Sequence, residues 1–235
     1  MTDTRLPYPD RESAGRALAD RLEGLVAPPC VIGAIPRGGL LVALPLAERL
    51  HAPLGIVFVR KLTVPIAPEL AVGAVDEDGE VLLDRYTSES VGATAEELAA
   101  ARRRARYEIE RQRTAYPSPP LAALLPGAAV VLVDDGLATG LTMRAAMAWV
   151  RRHEAREVVV AAPCAAASAA RRFEREADRF VSPVVAGGSF AVGAFYHDFH
   201  AVSDEEVLEV LERARAITHP ESSGDVPTGE PLGSE

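Results

Sequence analysis

The chain has 235 residues, enough for one sizeable core or one core with a small appendage. Its 34 acidic residues outweigh 25 basic ones, and part of the excess (Glu221, Asp225, Glu230, Glu235) lies in a tail from Thr218 without Lys or Arg, which argues against a nucleic-acid partner. Met1 to Pro9 is polar, no apolar run reaches membrane length, and the distant Cys30 and Cys164 read as reduced core residues, so the expectation is a cytoplasmic protein without a membrane partner.

Asp10 is placed to cap a first helix with an apolar face of Ala14, Leu18, Leu22 and Leu25, stopped by Pro28 and Pro29. A strand over Cys30 to Ile35 follows and runs into Pro36-Arg37-Gly38-Gly39. There an arginine and two residues without side chains let backbone N–H groups approach an oxygen closely, although such a string alone also serves as a plain turn. Pro45 falls where the next helix should run, so that helix begins late or kinks. A second strand, Leu54 to Val59, ends in Arg60-Lys61, with Lys61 the only lysine of the chain. The basic pair reads either as snorkelling side chains or as anion ligands.

Leu70 to Val75 and Val81 to Leu83 flank the turn Asp76-Glu77-Asp78-Gly79 and read as a hairpin or edge pair. Thr94 to Glu97 forms a capping box, and Leu98, Ala101, Ala105 and Ile109 stripe the helix it opens. The rest of that helix is rich in Arg and Glu and reads as a solvated face with i,i+4 pairs such as Arg104 with Glu108, one arginine facing a phosphate being the alternative. Pro117, Pro119 and Pro120 end it.

Val130 to Val133 is a buried-strand pattern that delivers Asp134 and Asp135 to its carboxyl end. Gly136, Leu137, Ala138, Thr139 and Gly140 form a tight loop, and Leu141, Thr142 and the apolar spacing from Met143 start a helix. Unpaired N–H groups and the helix dipole make that junction an anion site. The bland alternative is that the two acids simply end a strand and cap a helix. A Walker loop is absent, and adjacent acids do not match the D-x-D spacing of haloacid-type phosphatases.

Further strands are expected at Val158 to Ala162 and Phe180 to Val184. Phe190, Phe195, Tyr196 and Phe199 cluster in a chain poor in aromatics and read as core packing or as a hood over a base, while His197 and His200 alone make a weak metal pair. Ser203 to Glu206 boxes a last helix, and from residue 218 the composition predicts disorder. Alternating strands and helices give the fold class: α/β, a mainly parallel central sheet with helices on both faces.

From Asp134 through Gly140 the chain resembles the type I phosphoribosyltransferases, with weaker likeness at Pro36-Arg37-Gly38-Gly39 and Arg60-Lys61. The resemblance implies Mg²⁺-dependent transfer of a phosphoribosyl group from phosphoribosyl pyrophosphate to a nucleobase-like acceptor, as in nucleotide salvage, by a homodimer. Asp134 and Asp135 would hold the ribose hydroxyls with Mg²⁺ near them, and residues 136 to 142 would hold the 5'-phosphate. Arg37, Gly38, Gly39, Arg60 and Lys61 would meet pyrophosphate, Thr63 to Glu69 would form a lid carrying Glu69, and Phe190 and Tyr196 would face the base. The expected organisation is one domain over 1–217, with an insert at 81–120 and a hood at 185–200, followed by the acidic tail at 218–235. A regulatory module that senses phosphoribosyl pyrophosphate or a nucleotide without chemistry is the alternative.

Overall fold

The computed structural model describes residues 6–218. Asp10 caps α1 (Arg11–Leu22), its Oδ1 accepting from the Ser13 N–H at 2.7 Å. Leu25, expected on the apolar face, lies beyond the helix end and is exposed. β1 (Cys30–Ala34) leads into α2 (Gly38–Leu50), which starts without delay at Gly38 and contains Pro45. α1 packs against this region through Gly15, where a Cβ would fall 2.3 Å from the Val42 carbonyl oxygen.

The expected second strand divides. β2 (Leu54–Ile56) stays in the parallel sheet, while β3 (Val59–Val64) opens an antiparallel ribbon with β4 (Ala67–Asp76) and β5 (Val81–Leu83). Buried Val57 and Phe58 carry the chain from one sheet to the other, so Arg60 and Lys61 lie inside β3 and not at a strand end. The Thr63–Glu69 segment, expected as a loop, is the tip of this ribbon, turning at Pro65 and Ile66. Register shifts on either side of Thr63 absorb the residues unequally placed on β3 and β4, so the backbone pairs instead of looping out.

α3 (Arg85–Ser90) is capped by Asp84, and α4 (Ala95–Ala115) opens with the expected Thr94–Glu97 box. The expected Arg104–Glu108 pair does not form, because Glu108 bridges Arg111 at 2.7 Å and Arg60 at 3.0 Å. β6 (Ala129–Val133), α5 (Leu141–Arg152) and β7 (Glu157–Ala161) then alternate. β8 (Cys164–Ala166), which the periodicity does not reveal, precedes α6 (Ala167–Glu176). The run from Phe180 to Val184 splits at Pro183, which has no N–H to donate: β9 (Arg179–Val181) joins the main sheet and β10 (Val184–Ala186) pairs with β8. α7 (Asp204–Thr218) closes the described chain, and apart from Thr218 the tail expected to be disordered lies outside the described residues.

The main sheet has the order β2-β1-β6-β7-β9 with every neighbour parallel. Alternate residues face opposite sides, as a pleated strand requires. Ile32, Ala34, Val131 and Val133 pack with α1, α2 and α7, whereas Val31, Val130, Leu132 and Val158 pack with α5 and α6. Helices therefore cover both faces, and fully burying each such side chain is worth ~1.5–3 kcal/mol. Among the described residues no helix is long and apolar enough to cross a membrane.

Candidate active site

A cleft of about 710 Å³ opens at the carboxyl ends of β1 and β6, where open parallel sheets place their ligands. Asp134 and Asp135 line it. The Asp135 N–H donates to Asp134 Oδ1 at 2.9 Å, and Asp135 Oδ2 accepts from Arg11 Nε at 2.9 Å. The other oxygen of each carboxylate accepts no hydrogen bond among the described residues. Burial, and then the neighbouring Asp135 carboxylate, push Asp134 well above the usual range for an aspartate.

Arg11 is the site residue that sequence reasoning missed. It is buried at the start of α1, donates through Nη1 to the His200 carbonyl at 3.0 Å, and lays its guanidinium 3.9 Å from the centroid of the Phe199 ring. No local motif marks it, because its partners lie 124 and 189 residues away. The one clue is the charged residue placed directly after a cap. The Asp135 backbone is held too, since its carbonyl accepts from the Tyr196 hydroxyl at 2.6 Å. Gly38 is required here: a Cβ would stand 2.0 Å from Asp135 Oδ2.

The loop from Gly136 to Gly140 also lines the cleft. Leu137 is anchored to β8, its N–H donating to the Cys164 carbonyl at 2.9 Å and its carbonyl accepting from the Ala166 N–H at 2.8 Å. The N–H groups of Ala138, Thr139 and Gly140 make no hydrogen bond among the described residues. They lead into the first turn of α5, whose N–H groups have no partner within the helix. Gly140 adopts φ +70°, and a Cβ there would meet the Phe173 ring at 2.6 Å. Thr142 lines the cleft, while Leu141 turns into the core.

The remaining candidates divide. Arg37, Gly38, Arg60 and Lys61 line the cleft, but Arg37 also pairs with Asp204 at 3.3 Å and Arg60 with Glu108 at 3.0 Å. Gly39 is packed beneath, where a Cβ would sit 2.7 Å from the Val133 carbonyl oxygen. Glu69 is exposed on the ribbon and does not line the cleft. Phe190 and Tyr196 do not line it either: Phe190 packs on Phe195, and Tyr196 is buried against Tyr8. Val192 and Phe199 form the wall in their place. The hood is arranged this way because the N-terminal segment pairs with it, Tyr8 N–H donating to the Phe195 carbonyl and His197 N–H to that of Tyr8. His200 is flanked by Glu206 at 2.7 Å and Asp198 at 2.8 Å, which hold its pKa above the usual histidine value.

The two free carboxylate oxygens offer hard ligands suited to a magnesium ion, yet among the described residues no group of three or more His, Cys, Asp or Glu gathers to hold one. The donor set fits an ion shared with a substrate's own oxygens.

A family model described as "Phosphoribosyl transferase domain" matches residues 12–194. "Putative phosphoribosyl transferase Rv0571c" of Mycobacterium tuberculosis is 37% identical over 228 residues, covering 97% of this chain and 52% of that protein. "Putative phosphoribosyl transferase MT0597", from another strain of that species, matches with the same identity and coverage. The chain thus spans about half the length of the curated relatives it matches. The crystal structure of TT1426 from Thermus thermophilus superposes with a TM-score of 0.70 at 39% identity, covering 88% of this chain and 98% of that one.

Proposed function

The chain belongs to the phosphoribosyl transferase domain family, and on that premise we propose that it moves a phosphoribosyl group from phosphoribosyl pyrophosphate to a nucleobase-like nitrogen acceptor, releasing pyrophosphate as in nucleotide salvage. The observation carrying the reading is that two carboxylates and a loop with unspent N–H groups share one cleft.

In this mechanism Asp134 Oδ2 and Asp135 Oδ1 take the ribose hydroxyls, Arg11 keeping the Asp135 carboxylate in place. The N–H groups from Ala138 to Thr142, with the Thr139 and Thr142 hydroxyls, take the 5'-phosphate. As the bond from the anomeric carbon to pyrophosphate lengthens, positive charge grows on the sugar, and the field of the two carboxylates favours it. Arg37, Lys61 and Arg60, with the backbone at Gly38, meet the negative charge leaving on pyrophosphate, while Gly39, whose N–H donates to the Ile35 carbonyl, only lets the loop pack beneath it. Val192 and Phe199 replace Phe190 and Tyr196 as the apolar wall for the acceptor, and Glu69 has no part. Asp134 and Asp135 are the residues that would hold a Mg²⁺ ion, which would supply positive charge against the leaving pyrophosphate. We extend the proposal to a cytoplasmic homodimer, checked by light scattering.

Calorimetric titration of phosphoribosyl pyrophosphate into wild type and into the Asp134→Asn, Asp135→Asn double variant tests the reading: binding is weakened and turnover abolished in the variant, and equal binding removes the hypothesis. Pyrophosphate release with a panel of nucleobases separates enzyme from sensor, since ligand-dependent stabilisation without release under any acceptor favours the sensor.

A further inference from the structure

α4 lies against β3 and contributes Ala101, Arg104 and Ala105 to the cleft wall beside Arg60, Lys61 and Thr63. Ala101 and Ala105 are buried and small, which lets the helix approach the strand closely. Arg104 stands between them. The carboxylate one turn further along, Glu108, is taken by Arg60 and Arg111, so Arg104 forms no ion pair among the described residues. Its single hydrogen bond goes from Nη2 to the Thr63 carbonyl at 3.3 Å.

That carbonyl lies at the irregular point of the ribbon, where the pairing shifts between Leu62 and Thr63 and again between Thr63 and Val64. A bulge leaves backbone groups without ladder partners. Arg104 serves one of them with one of its five N–H donors, and the rest remain available at the cleft. Lys61 forms no ion pair among the described residues either, whereas Arg37 and Arg60 are each held by a carboxylate. The wall of β3 and α4 therefore presents two cations outside any ion pair among the described residues, Arg104 and Lys61, the latter in the field of Asp134, together with Thr63.

We infer that Arg104 is a ligand of the departing pyrophosphate, so that α4 completes the anion site of the cleft while its contact to the Thr63 carbonyl fixes the ribbon beside that anion. This rests on the functional reading above and adds to it a residue from an element distant in sequence from both phosphate loops. Arginine suits the task, since its planar fork can serve a carbonyl and a phosphoryl oxygen at once.

The test titrates inorganic pyrophosphate with Mg²⁺, and separately ribose 5-phosphate, into wild type, Arg104→Gln, Arg104→Lys and the neighbouring Arg103→Gln. Losing a charge-assisted hydrogen bond raises the pyrophosphate Kd about tenfold or more in Arg104→Gln. Arg104→Lys recovers part of the loss, Arg103→Gln binds like wild type, and ribose 5-phosphate affinity is the same in all four. If wild type binds pyrophosphate and Arg104→Gln binds it equally well, Arg104 is not a ligand, while the functional reading stands. An equal loss of both ligands in Arg104→Gln also overturns the inference, showing a structural role through the ribbon. Failure of wild type to bind pyrophosphate refutes the functional reading and this site with it.

Discussion

Replacing Arg11 with Met keeps a buried aliphatic stem and removes the guanidinium that ties α1 to Asp135 and to the hood. Arg11 and Asp135 expose 6% and 18% of their side chains, so the pair is largely withdrawn from water. Four contacts disappear: the 2.9 Å bond to Asp135, worth about 1.5–3 kcal/mol as a charge-assisted bond, the 3.0 Å bond to the His200 carbonyl, about 1 kcal/mol, the stacking on Phe199, about 0.5–2 kcal/mol, and a weaker approach to the Tyr196 ring at 6.0 Å. Exposed His200 can return to water, which offsets part of the second. The orphaned Asp135 carboxylate brings the cost into the range for breaking one side of a buried pair, about 3–5 kcal/mol. At about 2–4 °C per kcal/mol for a domain of this size, Tm should fall by about 10 °C. Scanning calorimetry of wild type, Arg11→Met, Asp135→Asn and the double variant closes a cycle that isolates the pair. Phosphoribosyl pyrophosphate titrated into Arg11→Met should bind more weakly, because Asp135 is no longer held. A destabilisation below about 1 kcal/mol, with no coupling in the cycle, would refute the reasoning.

Two further outcomes follow from partly buried acids. Asp134 carries a pKa raised by burial and by Asp135, so the folded protein loses stability as pH climbs from the ordinary aspartate value of 3.8 through the raised one. Asp134→Asn lacks that loss: its Tm should exceed that of wild type by a margin that widens as pH rises through this interval, while turnover disappears, and a margin independent of pH would contradict the assignment. Glu77, in the turn between β4 and β5, is pushed up to about 7 by burial from its ordinary 4.5. Stability is present below that window and declines across it in wild type but not in Glu77→Gln, so thermal melts from pH 4 to 8 should diverge between 4.5 and about 7, and parallel melts would show that Glu77 is solvated.

Local chemistry made much of the cleft legible. A run of branched apolar residues, two acids, a glycine turn and a helix start each follow from short-range rules, which is why Asp134, Asp135 and the loop to Gly140 stand together on the cleft wall. The capping boxes at Thr94 and Ser203 form for the same reason, their partners being three residues apart. The readings that failed involve choices between distant partners. Periodicity marked Leu54 to Val59 as apolar and extended, but it carries no information on which strand each half pairs with, and β2 and β3 went to different sheets. Phe190 and Tyr196 were expected to face the base, with Phe199 only one more ring in the same aromatic cluster. Pairing between Tyr8 and the hood, together with Arg11 beneath Phe199, set Phe199 on the cleft and Phe190 away from it.

By itself the sequence determined the α/β class, the parallel core strands and the acid-loop motif, because apolar period, caps and turn residues act within a few positions of one another. Only the tertiary structure decided which cations reach the cleft, that Arg11 holds Asp135, and that α4 walls the site. Those contacts join residues more than forty to nearly two hundred positions apart, and they arise from packing several elements at once, not from any one segment's preference.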